Sequence, residues 1–121
     1  MAARLLTLPN ARAALWTARA LRSARRQLRA GQWEAIELPP VPPVPAVAER
    51  GVQAVLWRSR ATCLPRAIVR QRWYAAHGSP RDLVVGVTAP SSGFEAHAWL
   101  EGDPPCHTER YRELLRRPAA S

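Results

Sequence analysis

Across Gly78-Ser79-Pro80 the apolar residues change their period, and no other feature of the chain constrains its fold as strongly. Before that point they recur at helical spacing; after it they alternate, as on a half-buried strand. A run of helices followed by a run of strands reads as an α+β architecture, with N-terminal helices and a small antiparallel sheet. At 121 residues the chain is one domain with a small core.

The first helix is expected over Ala11–Ala30, with Asn10 as its cap and Gly31 at its end. Leu15, Ala18, Leu21 and Leu28 form a loose apolar stripe, and arginines crowd the remaining surface. This predicts a basic helix that packs on the domain through its leucines and Trp16. A transit peptide or a membrane-surface helix shares the composition. Pro39 to Pro45 is an extended, stiff connector. Residues 1–45 are therefore set apart as an Arg-rich helix and connector, and 46–121 as the main domain. A second helix is expected over Val47–Trp57, with Val47, Val52, Val55 and Leu56 facing the core.

A third helix is expected over Cys63–His77. Pro65 fixes its start, because proline fits a first turn and breaks an interior. Thr62 is the expected cap; Leu64, standing before Pro65, is biased away from helical angles. Gly78 closes the helix. Asp82–Thr88 and Phe94–Glu101 read as strands. Cys106–Arg110 is a short third strand, and Tyr111–Arg117 a basic tail of helical character.

The charge narrows the function less than its size suggests. All 18 basic residues are arginine and the net charge is +9. Arginine without lysine, beside many Ala and Pro, reflects GC-rich coding, so no nucleic-acid partner is expected, although acidic partners are allowed. Two cysteines make no disulfide framework. There is no apolar run near the roughly 20 residues of a membrane span, and no secretory h-region. A reducing, cytoplasmic setting follows, in which a free thiol can do chemistry.

Cys63 stands at the mouth of the third helix, where unpaired N–H groups and the helix dipole favour a thiolate and can hold a developing oxyanion. His97 lies in the second strand. Alternation puts Phe94, Ala96, Ala98 and Leu100 on the core face, and Glu95, His97, Trp99 and Glu101 on the other. A strand-borne imidazole opposite a helix-borne thiol is a nucleophile and its general base, which implies acyl chemistry on a peptide bond. The base needs a third group to orient it. Along an extended strand Asp103 is roughly 20 Å from His97 and Glu101 roughly 13 Å. Glu95 is one pleat away. Glu109 falls across from His97 if Cys106–Arg110 folds back with 101 opposite 105, but a one-residue slip removes it. Spacing favours Glu109 over Glu95 only slightly. Cys106-His107 is a poor metal pair, since neighbours on a strand point apart, and no Gly-rich phosphate loop is present. No cofactor is expected.

Ala61-Thr62-Cys63-Leu64-Pro65-Arg66-Ala67, then Leu83-Val84-Val85-Gly86-Val87, then Phe94-Glu95-Ala96-His97-Ala98-Trp99-Leu100-Glu101 together resemble the transglutaminase-like leader peptidases of lasso-peptide biosynthesis. Those enzymes carry C-L-x-R-S, an apolar strand ending G-V, and A-H-A-W-[VL]-E. The resemblance covers about residues 47–117 and implies a papain-like or transglutaminase-like cysteine protease core. It also implies a bacterial cytoplasmic enzyme that removes the leader from a ribosomally made precursor, before a separate lasso cyclase closes the ring. Family members place an acid about a dozen residues after the histidine, which implies Glu109 as the third catalytic group beside Cys63 and His97. Ala67 departs from the family serine, and Pro104-Pro105-Cys106-His107 departs from the family G-x-x-V. The segment before residue 47 is too short and Arg-rich for the leader-binding domain of some members, which implies a separate leader-binding protein. The competing class is a non-enzymatic basic module that uses the first helix on nucleic acid or an anionic membrane surface.

Overall fold

The computed structural model describes residues 7–88, 95–104 and 111–119. Helix α1 spans Leu8–Arg29. A 3-10 turn, Ala46–Ala48, leads into α2, Glu49–Arg58. Helix α3 spans Cys63–Ala76. Strands β1 (Leu83–Thr88), β2 (Ala96–Leu100) and β3 (Tyr111–Arg117) form an antiparallel sheet in the order β2-β1-β3. The expected α+β order of helices, then sheet, is what the chain adopts.

Helix α1 starts earlier than expected. Thr7 takes the cap position and Pro9 sits in the first turn, where its missing N–H costs no bond; Asn10 is buried inside the helix instead of capping it. Gly31 ends it with a φ of 77°. One face buries Ala13, Trp16, Ala20, Leu21 and Ala24, whereas Leu15 is exposed. Ala13 and Ala20, the small members of this face, share a cluster with Val52 and Leu56 of α2. At Gly51 any β-carbon would collide with the carbonyl oxygen of Asn10. Val52 and Leu56 of α2 are buried as expected. Val47 is 71% exposed and is not a core residue, because it falls in the 3-10 turn before α2 begins.

Trp16, Leu21, Val52, Leu56, Val69 and Trp73 join α1, α2 and α3 in one cluster. The proline connector lies on it. Trp16 Nε1 donates to the Pro39 carbonyl at 2.9 Å, and the two ring nitrogens of His77 meet the carbonyls of Trp73 and Val44 at 2.8 and 2.9 Å. A second cluster seats α3 on the sheet through Ala67, Ile68, Leu83, Ala98 and Leu100, closed by Ala24 and Ile36.

In the sheet Leu83 pairs with Leu100, Val85 with Ala98 and Gly86 with His97. The opposite edge of β1 takes β3, with Leu83 facing Arg117 and Thr88 facing Tyr111. Residues 111–117 are thus a strand, not a helical tail. Arg, Glu and Leu favour helix locally, but the free edge of β1 offers the segment a full ladder of backbone partners, and tertiary pairing prevails. A register shift opposite Val85/Gly86 makes Leu114 an extra, exposed residue. Arg117 then reaches under the sheet to donate to the carbonyls of Trp33 and Ile36 at 3.1 and 2.8 Å. The expected third strand at Cys106–Arg110 lies outside the described residues.

Candidate active site

Cys63 is the first residue of α3 and a half-buried free thiol. Thr62 adopts the extended backbone of a cap, yet its side chain makes no capping bond. The first internal bond of the helix is Arg66 N–H to Thr62 O, at 3.1 Å. Leu64 takes up helical geometry despite preceding Pro65. Pro65 falls within the first turn, whose amides lack internal partners in any helix, so the ring displaces no hydrogen bond. Helix α3 therefore opens with first-turn backbone N–H groups that have no partner within the helix, and the Thr62 side chain does not cap them.

His97 occupies the middle of β2, half-buried, and its face is set by the alternation expected from sequence. Its ring stacks on Trp99 (centroids 5.8 Å apart, planes 24° apart) and lies 5.4 Å from the ring of Tyr111. Gly86 makes this row possible. A β-carbon there would stand 2.8 Å from the Trp99 ring and 2.9 Å from the Tyr111 β-carbon. The bare backbone of β1 is thus the floor on which the three rings cluster, Trp99 and Tyr111 themselves lying 6.1 Å apart.

Cys63 and His97 line one cavity of about 440 Å³. Helix α3 contributes Cys63, Arg66, Ala67 and Arg70; the turn after β2 contributes Asp103 and Pro104, and α2 contributes Gln53. Three consecutive strand residues, His97, Ala98 and Trp99, also line it. Their side chains alternate between faces, so the cavity wraps the edge of β2 away from β1. No hydrogen bond joins the Cys63 sulfur to the His97 ring, as is common before a substrate tightens such a pair.

The acids behave differently from one another. Asp103, dismissed by strand-length arithmetic, lies in this cavity because the chain turns back at Gly102, φ 92°. It is already engaged. Arg70 grips it with two bonds of 2.7 and 3.0 Å, the Leu100 amide donates at 3.1 Å, and Arg81 lies 3.7 Å away. Burial opposes its charge, but the Arg70 guanidinium, the Leu100 amide and Arg81 together hold the carboxyl below the usual aspartate range. Asp103 is therefore a tie between α3 and β2. Glu95 shares the His97 face but is exposed, with its carboxylate 3.5 Å from the Tyr111 hydroxyl, which donates to it. Glu101 is drawn to Arg116. Glu109 lies outside the described residues, as do Cys106 and His107. Among the described residues no cluster of His, Cys, Asp and Glu is fit to hold a metal.

Sequence reasoning missed Arg70, Gln53 and Tyr111. The fixed spacing of α3 did carry one signal, since Arg70 lies two turns from Cys63 on the same side of the helix.

The sequence model of the transglutaminase-like superfamily matches residues 5–116, which takes in α1 as well as the stretch carrying the motifs. No curated protein and no solved structure matches the chain.

Proposed function

Because the chain belongs to the transglutaminase-like superfamily, which includes cysteine proteases, we propose that it is a cysteine peptidase that removes the leader from a ribosomally synthesised precursor during lasso-peptide maturation. The observation that carries the peptidase reading is the shared cavity of Cys63 and His97 at the mouth of α3. The lasso assignment is supported by the Cys63-Leu64-Pro65-Arg66 and Ala96-His97-Ala98-Trp99-Leu100-Glu101 motifs.

In this mechanism His97 accepts the Cys63 proton, and the thiolate attacks the carbonyl carbon at the leader–core junction. The negative charge moves onto the carbonyl oxygen, toward the first-turn amides of α3 at Cys63 and Leu64. His97 then gives its proton to the departing amine as the C–N bond breaks. Water, deprotonated by His97, attacks the thioester, releases the leader acid and restores the thiol. Stacking on Trp99 keeps the imidazole in the plane that serves both transfers. Glu109 is the third group in this proposal, orienting His97; the Glu95 carboxylate is directed to Tyr111. The precursor, a separate leader-binding protein and a lasso cyclase are its proposed partners, in a bacterial cytoplasm. No described helix is long and apolar enough to cross a membrane.

Cleavage of a cognate precursor, followed by mass spectrometry, tests the reading. Cys63→Ala should abolish it with the fold intact, and unimpaired cleavage refutes the role. Glu109→Gln should slow cleavage severely and Glu95→Gln should not; the reverse result reassigns the acid. A basic binding module acting through the exposed arginines of α1 would instead show salt-sensitive binding to duplex or anionic lipid with no reactive thiol.

A further inference from the structure

The outer face of α2 carries a second, apolar groove. It has a volume of about 740 Å³ and is floored by Val47, Ala54 and Trp57. Val47 and Trp57 are 71% and 79% exposed, an unusual display for large apolar side chains. The groove neighbours the active-site cavity. Gln53 lines both, and Trp57 and Arg58 border a third hollow that Arg66 shares with the cavity of Cys63.

Across the groove and the hollow beside it, cationic side chains outnumber acids. Arg50 and Arg58 line the groove, Arg60 and Arg66 line the adjoining hollow that shares Trp57 and Arg58 with it, and among the described residues none of the four pairs with an acid. The one acid on the rim, Glu49, is occupied by Tyr74 and Gln53, which donate to it at 2.8 and 3.0 Å. Arg60 is also held in the left-handed region, φ 50°, at the end of α2. Glycine would sit there without steric cost. An arginine kept at a strained position in the cationic hollow beside the groove points to use of its charge.

We propose that this face is a docking groove for an acidic stretch of the peptide substrate, bearing a bulky apolar side chain that lies against Trp57. The proposal rests on the reading of the neighbouring cavity as a peptide-cleaving site. The apolar floor takes the anchor and the four guanidinium groups take the carboxylates, so the groove raises the local concentration of the scissile bond beside Cys63.

The test uses the full chain and fluorescence anisotropy with two labelled synthetic peptides. One has a leucine flanked by Asp and Glu; in the other Lys replaces the acids. The acidic peptide should bind in a salt-sensitive manner and the basic one should not. Trp57→Ser should weaken binding by about tenfold. Arg60→Gly should melt higher than the wild type and yet bind several-fold more weakly, a trade-off that a purely structural arginine does not give. Equal binding of both peptides, or unchanged binding by both variants, overturns the proposal. So does a dimer in sedimentation that Trp57→Ser dissolves, which would give the face to a second copy. Alkylation of Cys63 at neutral pH is read separately. Peptide binding without a reactive thiol keeps the groove and removes the peptidase; a reactive thiol without peptide binding does the opposite.

Discussion

Replacing Asp103 by Asn should both unlock the fold and disable the site. Asp103 follows β2, which carries His97, and Arg70 belongs to α3, which carries Cys63, so their ion pair joins the two halves of the proposed catalytic arrangement. The Arg70 and Asp103 side chains are 19% and 14% exposed. Losing one partner of a fully buried pair costs about 3–5 kcal/mol. Water reaches part of this pair, and asparagine keeps one acceptor for the Leu100 amide, so we expect about 2 kcal/mol. For a domain of this size that lowers Tm by about 8 °C. Arg70→Met should cost a similar amount, because it strands the carboxylate with only the more distant Arg81. The double variant should lose less than the two singles together, with a coupling of about 1–2 kcal/mol. Thermal unfolding followed by circular dichroism at neutral pH measures all four proteins, and precursor cleavage should fall in both singles. Singles that melt within about 1 °C of wild type, or strictly additive losses, would refute the claim that this pair fastens helix to strand.

Acid should expose the same bond. Asp103 titrates below its ordinary value, so its contribution is complete above about pH 4 and is lost as pH falls through the lower folded value. The stability gap between wild type and Asp103→Asn should therefore be flat from neutrality to about pH 4 and shrink below it; a gap that closes above pH 5 contradicts the assignment. Gly86→Ala should destabilise by about 1–2 kcal/mol in chemical denaturation, since the new methyl strikes Trp99 and the rigid Tyr111 β-carbon. It should also depress cleavage by displacing the His97 stack, and full activity would show that the aromatic row does not position the imidazole. Gln71→Leu should cost about 2–3 kcal/mol, because buried Gln71 donates to the carbonyls of Arg81 and Arg117 at 2.9 and 3.0 Å and leucine leaves both without that donor. An unchanged denaturation midpoint would show that these carbonyls find other partners.

Helix α3 was legible because its limits are punctuated by residues with few alternatives. Pro65 admits only a first-turn position, and Gly78, φ 78°, only an exit. The two-residue period made the His97 face legible in the same way. What escaped was whatever depends on distant chain. Residues 111–117 read as helical by propensity, and only the unpaired edge of β1 makes them a strand. Val47 looked like core because its spacing suits a helix that begins later than it does.

The case of Asp103 shows why distance along a strand is a poor guide to a catalytic acid. The arithmetic that placed it far from His97 held for an extended chain, and the positive φ of Gly102 cancels it by folding the carboxylate back into the cavity. Proximity alone still does not make it the orienting group. Arg70 takes both oxygens, and the Leu100 amide shares one of them. To turn toward the imidazole, the carboxylate would have to leave a half-buried guanidinium without a counter-ion. That cost exceeds the gain from orienting one neutral ring. The third group of the proposed site is therefore sought among acids not already neutralised. By that criterion Asp103 and Glu101 are removed and Glu95 is weakened by its Tyr111 donor. Between Glu95 and Glu109, which lies outside the described residues, the Gln substitutions decide.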